Sequence, residues 1–442
     1  MNPFKAYDIR GIYPQQVNED LAYDVGRAFP MLLEMKTVVV GRDGRLSSDS
    51  LFDSLLKGLL ESGTNVVDLG QCSTPQFYYA LYSSDIDTGV MITASHNPKE
   101  YNGFKICKAN AVPLFKENGL PKLQSLIEHG QFKVGARKGS YIKKDIQHDY
   151  NDFFLKKKGE KKTFSFNILV DTGNGMGTYE MTALKELFKD SHFDILFEKV
   201  DGHFPNHECN PVIEKHYEVL KKKLHEGKYD FGMAFDGDAD RITFFTEQGL
   251  VPPDLITGII GSNLAKEGEK VGYEVRTSQA IPQLLEKKKI VPCLYPSGHA
   301  YIKQHMVQDG AVFAGEKSGH YFYQQLHNTD SSLFTVMQML HILSSKAKTL
   351  SELVKPLQES FVNSGEINYT VTSPDTVLEK VKQEFSNLDV KIIDGVSAYG
   401  DGFFFNIRKS NTEPLVRVNI EAKTKEKVKK IKEKIEKIIA RN

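Results

Sequence analysis

Short apolar runs that alternate with helical spacing constrain the fold of this 442-residue chain more than any other feature. Thr37–Val40 ends in Gly41, and Asn65–Leu69 ends in Gly70. Asn167–Val170 runs into Asp171-Thr172-Gly173-Asn174-Gly175-Met176-Gly177, and a helical pattern follows from about Tyr179 to Phe188. Runs this short and this continuously apolar are buried on both faces. Bracketed by helices, they predict α/β domains with mostly parallel sheets.

Turn-rich breaks near residues 156–162, 247–253 and 362–366 divide the chain into segments 1–155, 156–250, 251–364 and 365–442. At roughly 150 residues per domain the length alone suggests about three, and the breaks raise the number to four. The last segment has a different rhythm. Strands are expected at Ile367–Val371, Val390–Ile393, Phe403–Ile407 and Val416–Ile420, with helices from about Thr376 to Phe385 and Lys425 to Ala440. Consecutive strands there predict an α+β unit with an antiparallel sheet, after three similar mixed α/β domains. The final helix carries Val428, Ile431, Ile435, Ile438 and Ile439 on one face and lysines elsewhere. It is expected to pack on its own sheet rather than on a membrane.

Lys and Arg number 57 and so do Asp and Glu, so the formal net charge is zero. That balance argues against nucleic-acid binding. Cys72, Cys107, Cys209 and Cys293 are few and scattered and form no C-x-x-C pair, so neither a disulfide framework nor a cysteine-rich zinc module is indicated. Leu333–Leu343, the most apolar helical candidate, is interrupted by Gln338 and His341 and is too short to span a bilayer. The opening residues have no apolar signal-peptide core. A soluble cytoplasmic protein is expected, with small-molecule rather than membrane partners, monomeric or a small homo-oligomer.

Four motifs carry chemistry. Thr93-Ala94-Ser95-His96-Asn97-Pro98 follows Gly89–Ile92, so a strand delivers a serine hydroxyl to a loop at a sheet edge. That placement suits a nucleophile or phosphate carrier, although for a bare Ser-His pair an ordinary hydrogen-bonded turn serine is the better explanation. Asp236-Gly237-Asp238-Ala239-Asp240-Arg241 lies between the apolar Phe231–Phe235 and Ile242–Phe245. Its three carboxylates can converge on one hard cation. An EF-hand is excluded, because the sixth position is Arg241 rather than glycine and the flanks are strand-like. A strand ending in D-x-D also resembles the aspartyl nucleophile of dehalogenase-type phosphatases, with Asp236 taking the phosphoryl group, but that leaves the serine loop without a role.

Gly315-Glu316-Lys317-Ser318-Gly319-His320 offers a carboxylate, a hydroxyl and an imidazole, a set suited to sugar hydroxyls. Arg408-Lys409-Ser410-Asn411-Thr412-Glu413-Pro414 offers a guanidinium, hydroxyls and an amide, a set suited to phosphate. Alone, each is better explained by an ordinary polar surface loop.

Together and in this order, with Tyr7-Asp8-Ile9-Arg10-Gly11 near the start, the motifs resemble the α-D-phosphohexomutase superfamily over essentially the whole chain. The phosphomannomutase/phosphoglucomutase branch is the nearest. The resemblance implies a phosphohexomutase that interconverts hexose 1-phosphate and hexose 6-phosphate, of mannose or glucose, through a phosphoserine enzyme and a hexose 1,6-bisphosphate intermediate, which also serves as activator. Segment 1–155 would then carry phosphoserine Ser95, and 156–250 the metal loop. Segment 251–364 would carry the sugar loop, and 365–442 the loop for the phosphate not being transferred. By the same resemblance Asp236, Asp238, Asp240 and Ser95 hold Mg²⁺. Arg10, His96, Lys105, Arg241 and His299 form the remaining catalytic set, with the general acid and base among Arg10, Lys105 and His299. Glu316, Ser318 and His320 would hold the sugar hydroxyls, Arg276, Arg408, Ser410, Asn411 and Thr412 would bind its phosphate, and Tyr7 belongs to the substrate-binding set.

Arg276 stands where the family commonly has lysine, and Lys317 lies inside the sugar loop, which blurs the preferred sugar; phosphoglucosamine mutase is the alternative of the same chemistry. A zinc site at His203, His207, Cys209 and His216 fits no common ligand spacing. Thr172–Gly177 has glycines at G-x-G-x-G rather than G-x-G-x-x-G, and no dinucleotide is expected.

Overall fold

A computed structural model describes residues 2–33, 35–86, 88–132, 135, 137–158, 165–410 and 414–440. The chain forms two compact units, residues 1–251 with 318–347, and residues 252–317 with 348–442.

The first unit opens with strands β1 (Ile9–Ile12), β2 (Thr37–Arg42), β3 (Asn65–Gln71), β4 (Gly89–Ile92), β5 (Tyr101–Lys108), β6 (Val112–Pro113) and β7 (Tyr141–Lys143). They form one sheet in the order β1-β5-β4-β2-β3-β7, with β6 beside β5. Strands β4, β2, β3 and β7 run parallel, while β5 is antiparallel to β4 and to β1. Val38, Val40, Val66, Val90 and Ile92 pack with Leu51, Leu55 and Leu59 of helix Ser48–Glu61. Burial of these continuous β-branched runs on both faces stabilises the sheet and accounts for their lack of polar alternation.

A second sheet in this unit comprises β8 (Asn167–Asp171), β9 (His192–Leu196), β10 (Phe231–Phe235), β11 (Ile242–Thr246) and β12 (Gly249–Val251), ordered β12-β11-β10-β8-β9. Strand β8 runs parallel to β9 and β10, and β11 is antiparallel to both its neighbours. The acidic triplet is thus the connection of a β-hairpin, every residue of whose strands is buried. Helix Gly177–Leu187 begins two residues before the sequence expectation.

In the second unit β13 (Lys270–Glu274) lies between β14 (Val291–Tyr295) and β15 (Phe313–Gly315), all parallel. The chain then returns to the first unit for a hairpin of β16 (Tyr321–Tyr323) and β17 (Thr329–Asp330) and for helix Ser332–Lys346. That helix buries most of its length, which is why it is so apolar, and no described helix is long and apolar enough to cross a membrane.

The chain closes in the second unit with β18 (Val362–Thr370), β19 (Asp389–Lys391), β20 (Val396–Gly400), β21 (Phe403–Lys409) and β22 (Leu415–Ala422), antiparallel in the order β18-β22-β21-β20-β19. Val377 and Val381 of helix Pro374–Glu384 and Val428, Ile435 and Ile438 of helix Lys425–Ile439 enter the core of this sheet. The lysine-rich final helix therefore uses its apolar face internally. The sequence rhythm missed β20. It also read 362–366 as a break, where the backbone carries a bulge between Asn363 and Glu366, with Gly365 at φ +70°. Turn-forming residues serve there to bend a strand rather than to end it. Residues 159–162 of the expected break at 156–162 lie outside the described residues. Mixed α/β sheets followed by a C-terminal antiparallel sheet are what the element order predicts.

Candidate active site

Three adjacent strands of the first sheet present Arg10, Ser95 and Lys105. Arg10 lies on β1 opposite Gly103, Lys105 lies on β5 opposite Met91, and Ser95 follows the end of β4. A Cβ at Gly103 would sit 2.1 Å from the Ile9 carbonyl oxygen, so only glycine lets β1 approach β5 here. Ser95 itself adopts φ +50°, the left-handed region that a β-substituted residue rarely occupies without being held. Its backbone N–H donates to Thr93 Oγ1 at 2.8 Å.

Onto this loop folds the acidic hairpin of the second sheet. A Cβ on Gly237 would lie 2.4 Å from the Ser95 carbonyl oxygen, so the glycine permits the close approach. Ala239, at φ +60°, completes the tight turn, and its carbonyl accepts from Ser332 Oγ at 2.7 Å. Asp236, Asp238 and Asp240 are buried, with one carboxylate oxygen from each within 4.8 Å of the others. Ser95 Oγ donates to Asp236 Oδ2 at 2.8 Å, and Arg241 N–H donates to Asp236 Oδ1 at 3.1 Å. Lys105 Nζ bridges Asp238 Oδ2, at 2.7 Å, and Asp240 Oδ2. Thr74 Oγ1 also donates to Asp238 Oδ2 at 2.7 Å.

Three carboxylates this close repel one another. Burial, with the charges of Asp238 and Asp240, pushes Asp236 well above the usual carboxylate range. Burial alone would also raise Asp240, but Lys105, His320 and Arg241 hold it well below that range. Asp238 Oδ1 is buried and has no hydrogen-bond partner among the described residues. An unpartnered carboxylate oxygen, hard oxygen donors and a net acidic cluster fit a hard divalent cation. Among the described residues this is the one group with metal-binding geometry.

The rest of the expected set divides between the units. Arg10 Nη1 donates to Asn97 Oδ1 at 2.8 Å and Nη2 pairs with Asp8. Burial works against its charge, but Asp8, Asp238 and Asp240 outweigh it and raise its pKa. His96 Nδ1 lies 3.2 Å from Ser95 Oγ, and burial with the nearby Arg241 and Arg10 holds the imidazole well below its ordinary pKa. His320, expected at the sugar, places Nε2 3.1 Å from Asp240 Oδ1 and 3.3 Å from Arg241 Nε, while Nδ1 lies 2.8 Å from Ser318 Oγ. It stands beside the carboxylates, an arrangement its motif did not suggest. Tyr7 lies in the bend that precedes β1.

In the second unit Glu316 Oε1 accepts from Gly298 N–H at 3.0 Å, beside His299 at the start of helix His299–Asp309. Arg276 donates through Nε and Nη2 to Glu274 Oε2 at 3.0 and 2.8 Å, and Ser297 Oγ donates to the same oxygen at 2.5 Å. Arg408 Nη2 pairs with Glu366 at 3.1 Å, and Arg417, opposite it on β22, pairs with the other oxygen of Glu366 at 3.3 Å. Ser410 N–H donates to Leu415 O at 2.9 Å, and Asn411 and Thr412 lie outside the described residues. Of the four residues weighed as zinc ligands, His207 is turned to Asp171, with Nε2 3.1 Å from both carboxylate oxygens, and His216 Nδ1 lies 3.1 Å from the Glu208 carbonyl oxygen.

Sequence reasoning missed Arg45, Thr74, Glu274 and Glu366. Only Arg45 had a signal: strand Thr37–Val40 leads into Gly41-Arg42-Asp43-Gly44-Arg45, a polar strand end of the kind that supplies site residues.

Comparison with known proteins shows the family. Models of phosphoglucomutase/phosphomannomutase α/β/α domains I, II and III and of the C-terminal domain match residues 1–134, 146–249, 252–361 and 366–438. The chain is 35% identical over 447 residues to a phosphomannomutase of Methanocaldococcus jannaschii, covering 99% of this chain and 97% of that protein. It is 34% identical over 435 residues to a phosphomannomutase of Vibrio cholerae, covering 95% and 94%. A crystal structure of a phosphoglucomutase/phosphomannomutase family protein from Burkholderia thailandensis superposes with a TM-score of 0.90 at 30% identity, covering 99% and 96% of the two chains. The chain therefore belongs to the phosphoglucomutase/phosphomannomutase family, whose members are phosphohexomutases, intramolecular phosphotransferases of the isomerase class.

Proposed function

We propose that this enzyme moves a phosphoryl group between O1 and O6 of a hexose, mannose or glucose, with Ser95 as the phosphoryl carrier. One observation supports this above the others: a buried serine held in a left-handed turn, its Oγ 2.8 Å from an aspartate of a buried triplet that Lys105 also contacts. In the forward step the phosphoserine Oγ–P bond breaks while the free hydroxyl of the hexose phosphate forms its own O–P bond and gives up its proton. A hexose 1,6-bisphosphate results. After it has turned over, its other phosphoryl group returns to Ser95 Oγ, leaving the isomeric monophosphate.

Asp236, Asp238, Asp240 and the Ser95 oxygen would hold Mg²⁺, which supplies positive charge to the phosphoryl oxygens during transfer. Arg241 and Lys105 add fixed positive charge beside the transferring group. His96, held neutral by burial and its cationic neighbours, is suited to hydrogen-bond a phosphoserine oxygen without competing for the metal ligands. Arg10, Lys105 and His299 are the candidates for moving the hydroxyl proton. Tyr7, Glu316, Ser318 and His320 would orient the sugar, and Arg276, Arg408, Ser410, Asn411 and Thr412 would take the phosphate at rest. A dedicated group for that phosphate lets either end of the sugar be presented to Ser95.

A coupled assay with mannose, glucose and glucosamine phosphates, Mg²⁺ and a catalytic amount of bisphosphate tests the proposal and selects the sugar. Turnover in the wild type, a phosphorylated peptide containing Ser95, and loss of isomerisation in Ser95→Ala are expected. Phosphate release that survives Ser95→Ala would instead make Asp236 the nucleophile. Absence of turnover on every sugar with Ser95 phosphorylated refutes the function.

A further inference from the structure

We infer that Arg45 is the positioning residue of the Ser95 loop, holding the carrier hydroxyl in its transfer orientation without touching the reacting atoms. The inference rests on the assignment of Ser95 as carrier. Arg45 is fully buried within the first unit, on the loop between β2 and helix Ser48–Glu61. A guanidinium has five N–H donors in one plane. Here all five are used: Nε on Asp43 Oδ2 at 3.1 Å, Nη1 on the carbonyls of Pro98 and Tyr101 at 2.7 and 3.0 Å, and Nη2 on the carbonyls of Ser95 and Asn97 at 2.8 and 2.7 Å. Four of the five partners are thus main-chain oxygens of the segment 95–101 that carries Ser95 into β5.

Asp43 supplies the opposing charge and is itself fixed, accepting from Arg45 N–H at 3.1 Å and Ser48 Oγ at 2.7 Å. The Phe204 ring covers the guanidinium at 5.2 Å. The consequence concerns geometry at Ser95. Its left-handed backbone is an unfavourable conformation for serine, and the local bond from Thr93 Oγ1 constrains only the N–H side of the residue. The Arg45 bond constrains the carbonyl side, so both flanking peptide planes are set and Oγ is aimed at Asp236. Lysine has three donors on one nitrogen and cannot span four carbonyls, and methionine has none.

The experiment compares the wild type with Arg45→Met and Arg45→Lys. Each is phosphorylated with glucose 1,6-bisphosphate, the phosphorylated sites are titrated, and the single-turnover transfer rate per phosphorylated site is measured. A rate about 10²-fold lower in Arg45→Met, partly restored in Arg45→Lys, with KM for the sugar phosphate changed less than about twofold, is expected for a misplaced carrier. Normalising to phosphorylated sites removes any loss due to misfolding alone. A wild-type rate per site in Arg45→Met, or a change confined to KM, overturns the inference. Should neither variant fold, hydrogen exchange on the wild-type enzyme is the check: the amides of Ser95, Asn97 and Tyr101, which donate within the loop to Thr93 Oγ1 and the Ala94 and Pro98 carbonyls, are expected to exchange at least about 10²-fold more slowly than in an unstructured peptide, and unprotected exchange, showing a loop that is not held, overturns the pinning. If the wild type shows no mutase turnover, the functional proposal fails, while the exchange experiment still reports whether the loop that Arg45 contacts is held in place.

Discussion

Glu180 is a fully buried carboxyl on helix Gly177–Leu187. It accepts from Ser73 Oγ and, at 2.9 Å, from Tyr150 OH, and no described residue gives it an ion pair. Burial pushes its pKa from the ordinary 4.5 up to about 7, against the two hydroxyl hydrogen bonds that lower it. The sign follows from linkage. The folded protein keeps this proton at pH values where the unfolded chain has released it, so stability falls as pH rises from about 4.5 to about 7 and is level above. The whole displacement corresponds to about 3 kcal/mol. Glu180→Gln retains the size and hydrogen-bonding capacity of the side chain and removes its charge. Thermal unfolding of the transition containing the first unit is therefore expected to show little difference from wild type at pH 5 and a higher Tm for the variant at pH 8, up to about 3 kcal/mol of added stability. The difference should open between those pH values. A Tm difference that does not vary with pH, or a variant less stable at pH 8, would refute a buried carboxyl that loses its proton at a cost.

Other consequences are as direct. Gly237→Ala places a methyl 2.4 Å from the Ser95 carbonyl oxygen, and overpacking against main chain should cost about 1–3 kcal/mol in denaturant unfolding and reduce turnover together. Asp238→Asn removes charge from the carboxylate whose Oδ1 has no described partner; calorimetric titration with Mg²⁺ should show affinity at least about tenfold weaker, with the fold retained. EDTA should abolish mutase turnover and excess Mg²⁺ restore it, and activity that persists in EDTA would remove the triplet from the mechanism. His207, paired with buried Asp171, has its pKa raised: burial opposes the charge but Asp171 outweighs it. Its stabilisation is present below pH about 6.5 and lost as pH rises through the raised value, so His207→Ala should cost more stability at pH 6 than at pH 8.

Much of this protein was legible in the one-dimensional pattern, for identifiable reasons. The continuous apolar runs at Val38–Val40 and Ile168–Val170 read as parallel strands because both their faces are covered. The D-x-D-x-D loop read as a carboxylate cluster because its acidic residues are local, closed into a hairpin by flanking strands. The final helix read as internal packing because its period of apolar residues matches one helical face. Less legible were bulges and short edge strands, where turn residues bend a strand without ending it, as at Asn363–Glu366.

By itself, the sequence determined the element types, the mixed and antiparallel sheets, the family, and which residue types bear the chemistry. All of these depend on spacing within a few residues or on motif order. Only the tertiary structure decided who meets whom. Arg45 reaches Ser95 across 50 residues, His320 reaches Asp240 across 80, Ser95 reaches Asp236 across 141, and Thr74 reaches Asp238 across 164. Such pairs are set by the strand order β1-β5-β4, which reverses chain order at the sheet edge, and by glycines that let one loop approach another's backbone. Local periodicity carries no record of either, because a hydrogen bond between distant segments depends on their packing and not on the spacing of residues along either one.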